Sequence, residues 1–115
     1  MIIRQGEIVE EPLGEKPVSV KALLTRETHT ETISVSQVRM DGRCCQRMTC
    51  NLSDRVYYLL NGEGEFQVGD APAGTVGQGD LVFIPRGVSY SFSGHMTYLV
   101  INAPAFIPGS DITID

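Results

Sequence analysis

Residues 42–62 read GRCCQRMTCNLSDRVYYLLNG and residues 79–94 read GDLVFIPRGVSYSFSG. Both stretches begin and end on glycine, and between the glycines lie short runs rich in β-branched and aromatic residues, the composition of strands. The connectors supply turn chemistry. Asp41-Gly42, Asn61-Gly62, Gly69-Asp70, Gly79-Asp80, Pro85-Arg86-Gly87 and Ser93-Gly94 offer the positive or fixed φ that tight turns require. The run VYYLL at 56–60 has no alternation, which predicts a strand covered on both faces: one lining an interior, the other meeting a second layer or a partner subunit.

The same punctuation continues outward. Candidate strands fall at 1–4, 18–26, 32–40, 44–49, 55–60, 65–68, 74–76, 81–84, 89–93 and 96–102, and no segment of helical length holds a 3.6-residue period. This predicts an all-β sandwich or barrel. The tail 110–115 alternates Ile112 and Ile114 with acidic residues and is read as a frayed end in preference to a short edge strand.

The chain has 115 residues, 42% hydrophobic and 20% charged, with a net charge of -5, three cysteines and two histidines. One domain spanning 1–115 is expected, of a size that folds without disulfide or metal. The acidic balance lacks the clustered Lys and Arg that phosphate backbones require, so nucleic acid is not an expected partner. No apolar run has membrane-spanning length and residues 1–14 carry no signal-peptide core, which predicts a cytoplasmic protein with no membrane partner. Cys44, Cys45 and Cys50 are read as free thiols in a reducing compartment.

The spacing of the two glycine frames resembles the conserved core of the cupins, small double-stranded β-helix (jelly-roll) barrels. Gly42, Met48, Cys50, Arg55 and Gly62 stand at the positions of the first cupin motif, and Gly79, Pro85, Gly87, Tyr90 and Gly94 at those of the second. The resemblance implies a cupin barrel with its motif core at 42–94. In metal-binding cupins, histidines and a glutamate at the positions of Met48, Cys50, Arg55 and Tyr90 hold a divalent metal inside the barrel. Thioether, thiol, guanidinium and phenol are a poor donor set, because Arg has no lone pair to give and adds positive charge. No metal and no cofactor is therefore expected. A soft ion on Met48 and Cys50, or on Cys44 and Cys50, is the alternative, with buried inert thiols as its plain counterpart.

If the family positions point inward, strand parity gives an interior of Met48, Cys50, Arg55, Tyr57, Leu59, Tyr90 and Phe92, an apolar and aromatic space with one cation. Met48, Cys50, Arg55, Tyr57, Tyr90 and Phe92 are the candidate ligand-binding set for a small molecule in the barrel. Arg55 has two open placements: inward, or at the strand start facing solvent beside Asp54 or Glu63. Tyr57 and Tyr90 are core aromatics unless a ligand reaches them. His29 and His95 read as surface turn residues outside the motif positions.

Three functional readings follow. The first is a metal-free small-molecule binding or sensing module. The second is a metal-independent isomerase, epimerase or lyase, with Tyr90 as proton donor and Arg55 as oxyanion clamp. The third is a metalloenzyme with sulfur ligands. The resemblance also implies a homodimer, with outward Tyr58 and Leu60 at the centre of its interface.

Overall fold

The computed structural model describes residues 1–14, 17–42 and 47–114. Cys44 and Cys45, and the first half of the candidate strand at 44–49, lie outside them. The strands are β1 (Glu11–Pro12), β2 (Val18–Leu24), β3 (Ser34–Gly42), β4 (Met48–Cys50), β5 (Asp54–Val68), β6 (Gly74–Gly77), β7 (Leu81–Ile84), β8 (Tyr90–Ala103) and β9 (Asp111–Thr113). The fold is all-β, and its antiparallel ladders form one curled sheet.

Two long strands organise it. β8 pairs with β5 from Asp54↔Ala103 to Val68↔Tyr90. The other edge of β8 pairs with β3 and, at Met48↔Tyr90, with β4. The other edge of β5 carries β7 along its first half and β6 along its second. β2 and then β1 extend the sheet beyond β3.

The turns expected at Asn61-Gly62 and Ser93-Gly94 are not turns; both pairs run inside the long strands. Glycine lets the strands bend there without breaking the ladder. Gly62 (φ +84°) and Gly94 (φ +153°) adopt conformations that side chains resist, and a Cβ at either would strike backbone of the facing strand. With a register shift between Leu59 and Asn61, the sheet curls at this level into a barrel. Sequence periodicity registered two short strands where glycine kinks divide one long one.

Two further expectations are corrected. Residues 1–4 form no strand and lead into a 3-10 turn at Gln5–Glu7. The tail is not frayed: β9 pairs with β4 through Met48↔Thr113, Thr49↔Ile112 and Cys50↔Asp111, using the free edge of a short strand.

Inward residues of β3, β5 and β8 fill the barrel. Met40, Leu59 and Tyr90 are fully buried, beside Tyr57, Phe66, Phe92, Met96 and Tyr98. On the outer face of the 56–60 run no second layer of this chain covers Tyr58 fully, and it is 38% exposed. Among the described residues no helix is long and apolar enough to cross a membrane.

Candidate functional site

Arg55 is the second residue of β5 and points inward, 4% exposed. Of its two sequence-level placements, the solvent-facing one is excluded: Asp54 instead accepts from the Arg86 backbone N–H at 2.9 Å. That bond, with the Arg86 guanidinium, holds the Asp54 carboxyl below its usual pKa. A buried cation needs partners on every side, and Arg55 has them. Its Nε donates to Asn102 Oδ1 at 2.6 Å, Nη1 to the Tyr90 hydroxyl at 2.6 Å, and Nη2 to Asp111 Oδ1 at 2.9 Å. Its guanidinium also lies 5.9 Å from the Phe106 ring centre. The Tyr90 and Tyr57 hydroxyls share a hydrogen bond of 2.7 Å.

Strand register explains the convergence. Arg55 faces Asn102 directly across the β5–β8 ladder, and Tyr90 reaches the site from the start of β8. Asp111 arrives on β9, which β4 anchors; the Ile114 N–H donating to the Arg47 carbonyl at 2.7 Å completes the anchor.

Electrostatics fix the protonation states. Burial would lower the Arg55 pKa, but the Tyr57 and Tyr90 oxygens and the Asp111 carboxylate more than offset it; the shift is upward and the guanidinium stays charged. Burial pushes the Tyr57 phenol well above its ordinary value, helped by Tyr90 and opposed by Arg55. Burial likewise raises Tyr90 against the pull of Arg55, and raises Tyr98. All three phenols are neutral hydrogen-bonding groups near neutral pH.

Beside this network lies a cavity of about 380 Å³, between the inner faces of β2, β3, β5 and β8 and the segment 106–111. Val20, Ala22, Val38 and Val100 form its apolar walls, and Arg55, Tyr57, Tyr98, Asn102 and Asp111 stand among its polar lining. Tyr98 and Asn102 are 3% and 4% exposed. Among the described residues, the Tyr98 hydroxyl and the Asn102 amide nitrogen make no protein hydrogen bond, and neither is fully enclosed. Their remaining open surface therefore faces the cavity, where a ligand can use it.

The candidate ligand set divides. Arg55, Tyr57 and Tyr90 form one hydrogen-bonded chain, of which Arg55 and Tyr57 line the cavity while Tyr90 stands behind Tyr57. Phe92 stacks on Phe66, with ring centres 4.9 Å apart and planes 5° from parallel, and tilts against Tyr57 at 5.1 Å. Met48 packs against the same core. Cys50 is buried, with its sulfur 3.8 Å from the Ser110 hydroxyl. His29 is a turn residue as its sequence suggests. His95 lies within β8, exposed, 3.6 Å from Asp41.

Sequence reasoning missed Tyr98, Asn102 and Asp111. The first two share the inward parity of β8 with Met96, a signal present in the alternation of 96–102; Asp111 sits in the tail, where no local pattern marks a contact with Arg55.

Met48, Cys50, Arg55 and Tyr90, the residues that the cupin resemblance sets at metal-ligand positions, do not fit a divalent ion. The Arg55 guanidinium hydrogen-bonds Tyr90, so a cation already stands among the would-be donors. Among the described residues no group of three or more His, Cys, Asp or Glu side chains is gathered as a metal cluster would require.

No protein-family model and no curated protein sequence matches the chain. Among solved structures it is similar to the nucleoside dehydratase Pac13, with a TM-score of 0.81 and 18% identity, covering 99% of this chain and 90% of that one. A uridine-bound variant of Streptomyces PAC13 aligns with a TM-score of 0.82, 18% identity and coverage of 99% and 89%. KdgF from Halomonas sp. aligns with a TM-score of 0.81, 12% identity and coverage of 92% and 96%. Oxalate decarboxylase from Bacillus subtilis gives 0.81 at 16% identity, where 99% of this chain spans 33% of that one. At such identities the likeness is one of fold. With the two glycine frames and the curled antiparallel sheet, it shows that this chain has the double-stranded β-helix fold found in cupins.

Proposed function

We propose that this protein is a small-molecule-binding barrel that holds its ligand in the cavity beside Arg55 without the usual cupin metal. The observation that carries this is the buried Arg55–Tyr90–Tyr57 network with Asn102 and Asp111, at the wall of a largely apolar cavity of about 380 Å³. Apolar walls with a few fixed polar groups are the usual composition of a ligand pocket, and this volume suits a molecule of nucleoside size. The similar barrel of PAC13 binds uridine, which makes uridine the first probe. Calorimetric titration of uridine into the wild-type protein is expected to give saturable binding that Arg55→Met weakens at least tenfold. Equal binding by the variant, with its fold confirmed by circular dichroism, refutes the reading.

A second reading, a metal-independent lyase, is favoured by one arrangement: the Tyr57 phenol and the Asp111 carboxylate line the same cavity. An elimination needs an acid for the leaving group and a base for the departing proton, and Pac13 is a nucleoside dehydratase. Tyr57 faces the ligand here, with Tyr90 supporting it from behind. Mass spectrometry of a nucleoside panel would register loss of water; turnover that survives Tyr57→Phe unchanged excludes Tyr57 as the acid.

The outer face completes the proposal. Tyr58 lies opposite Leu81, and Val56 opposite Phe83; Leu81 and Phe83 are 58% and 53% exposed. A second copy of the chain covers this face, in a two-fold dimer where like patches meet. Light scattering should give a dimer that Phe83→Glu converts to monomer, and a wild-type monomer at micromolar concentration refutes this.

A further inference from the structure

We infer that Asp111 sets the charge selectivity of the cavity: by matching Arg55 it makes the barrel accept an uncharged ligand and reject an anion of the same shape. The inference rests on the ligand-binding reading above and adds the chemical class of the ligand.

A lone buried guanidinium invites the opposite expectation, an anion receptor, because Arg is the usual partner of carboxylates and phosphates. Here that role is taken within the chain. Nη2 of Arg55 is bonded to Asp111 at 2.9 Å, while Nε and Nη1 serve Asn102 and Tyr90. The Asp111 carboxylate is fixed by the ladder of β9 on β4, so it is a built part of the wall.

The remaining charges point the same way. Among the described residues, the Arg, Lys, Asp and Glu side chains lining the cavity are Arg26, Glu27, Arg55 and Asp111, two of each sign, and Arg26 already faces Glu31 at 3.5 Å. An entering anion would lose its hydration and meet Asp111 on the same guanidinium, with no unmatched cation among the described lining residues to receive it. The free groups buried in the wall are neutral: the Asn102 amide nitrogen, which donates, and the Tyr98 hydroxyl, which donates or accepts; the one charged lining group without a partner among the described residues, the exposed Glu27, is itself an anion. They suit a carbonyl or hydroxyl on an uncharged body that the apolar walls enclose.

Benzamide and benzoate test this, since they match in shape, differ in charge and fit the cavity whether or not the natural ligand is a nucleoside. Nuclear magnetic resonance titration, read at the Asn102 side-chain amide and the Arg55 Nε–H, is expected to show wild-type protein binding benzamide at least tenfold more tightly than benzoate. Asp111→Asn keeps an oxygen for Nη2 and removes the charge; it should shrink that ratio at least tenfold. Tyr98→Phe should weaken benzamide while leaving Asp111 in control of the ratio. Benzoate binding the wild type as tightly as benzamide, or a ratio unchanged in Asp111→Asn, overturns the inference and leaves the cavity reading standing. Binding of neither probe overturns both, whereas failure of uridine alone removes only the nucleoside.

Discussion

Removing Asp111 should destabilise the fold more than removing Arg55, although the two share one ion pair. Their burial decides it: the Arg55 side chain is 4% exposed and that of Asp111 39%. In Asp111→Ala the stranded partner is a buried guanidinium. An unpaired buried charge costs about 3 to 5 kcal/mol, and access to the adjacent cavity places the expected loss near the lower end, about 3 kcal/mol. In Arg55→Met the stranded partner is a carboxylate that water can reach. Three hydrogen bonds are lost, but the desolvation cost of the guanidinium disappears with them, and Tyr90 keeps Tyr57, so the expected loss is about 1.5 kcal/mol. For 115 residues each 1 kcal/mol moves Tm by about 4 °C, which gives falls of about 12 °C and about 6 °C. The double variant should match Arg55→Met alone, because a carboxylate with no cation to balance has nothing left to contribute. Thermal and urea unfolding followed by circular dichroism measure all three. A larger loss for Arg55→Met than for Asp111→Ala, or strict additivity in the double variant, refutes the reasoning.

Further outcomes follow from the kinks and from the buried phenols. Gly62→Ala places a Cβ against the His95 carbonyl and the Met96 Cα at a φ of +84°, and should cost roughly 2 to 5 kcal/mol in urea unfolding; a loss below about 0.5 kcal/mol contradicts the close approach of β5 and β8. Tyr57, Tyr90 and Tyr98 all titrate above the ordinary tyrosine value of 10.0 in the fold. Their contribution is complete below that value and is lost as pH rises through the folded values. Above about pH 10, stability should fall by about 1.4 kcal/mol per pH unit for each phenol that ionises only on unfolding, and roughly 4 for all three. Unfolding monitored by tyrosinate absorbance measures the slope, and a flat profile to about pH 11 argues against burial of the three.

Much of the barrel was legible locally. Turn residues and period-two runs locate β2, β3, β6 and β7 to within a few residues, and the spacing of the glycine frames marks the core of the barrel. Gly62 and Gly94 misled because a glycine that ends a strand and a glycine that bends one look alike in sequence; the difference lies in whether the ladder continues past it, which only the facing strand decides. In the site, parity brought Arg55, Tyr57 and Tyr90 to one interior. It could not separate Tyr57, at the cavity wall, from Tyr90 behind it, because both share the same alternation.

What the sequence determined by itself was the class of fold and the donor types standing where the cupin resemblance sets metal ligands, since turn chemistry and donor type are properties of single residues and their spacing. What the tertiary structure decided was the meaning of Arg55. Its charge is matched by Asp111, 56 positions away along the chain, on a tail strand that forms because β4 has a free edge. Contacts closed over such a distance leave no periodic trace in sequence. The direction of a buried charge and the identity of its partner are set by the packing of strands against one another.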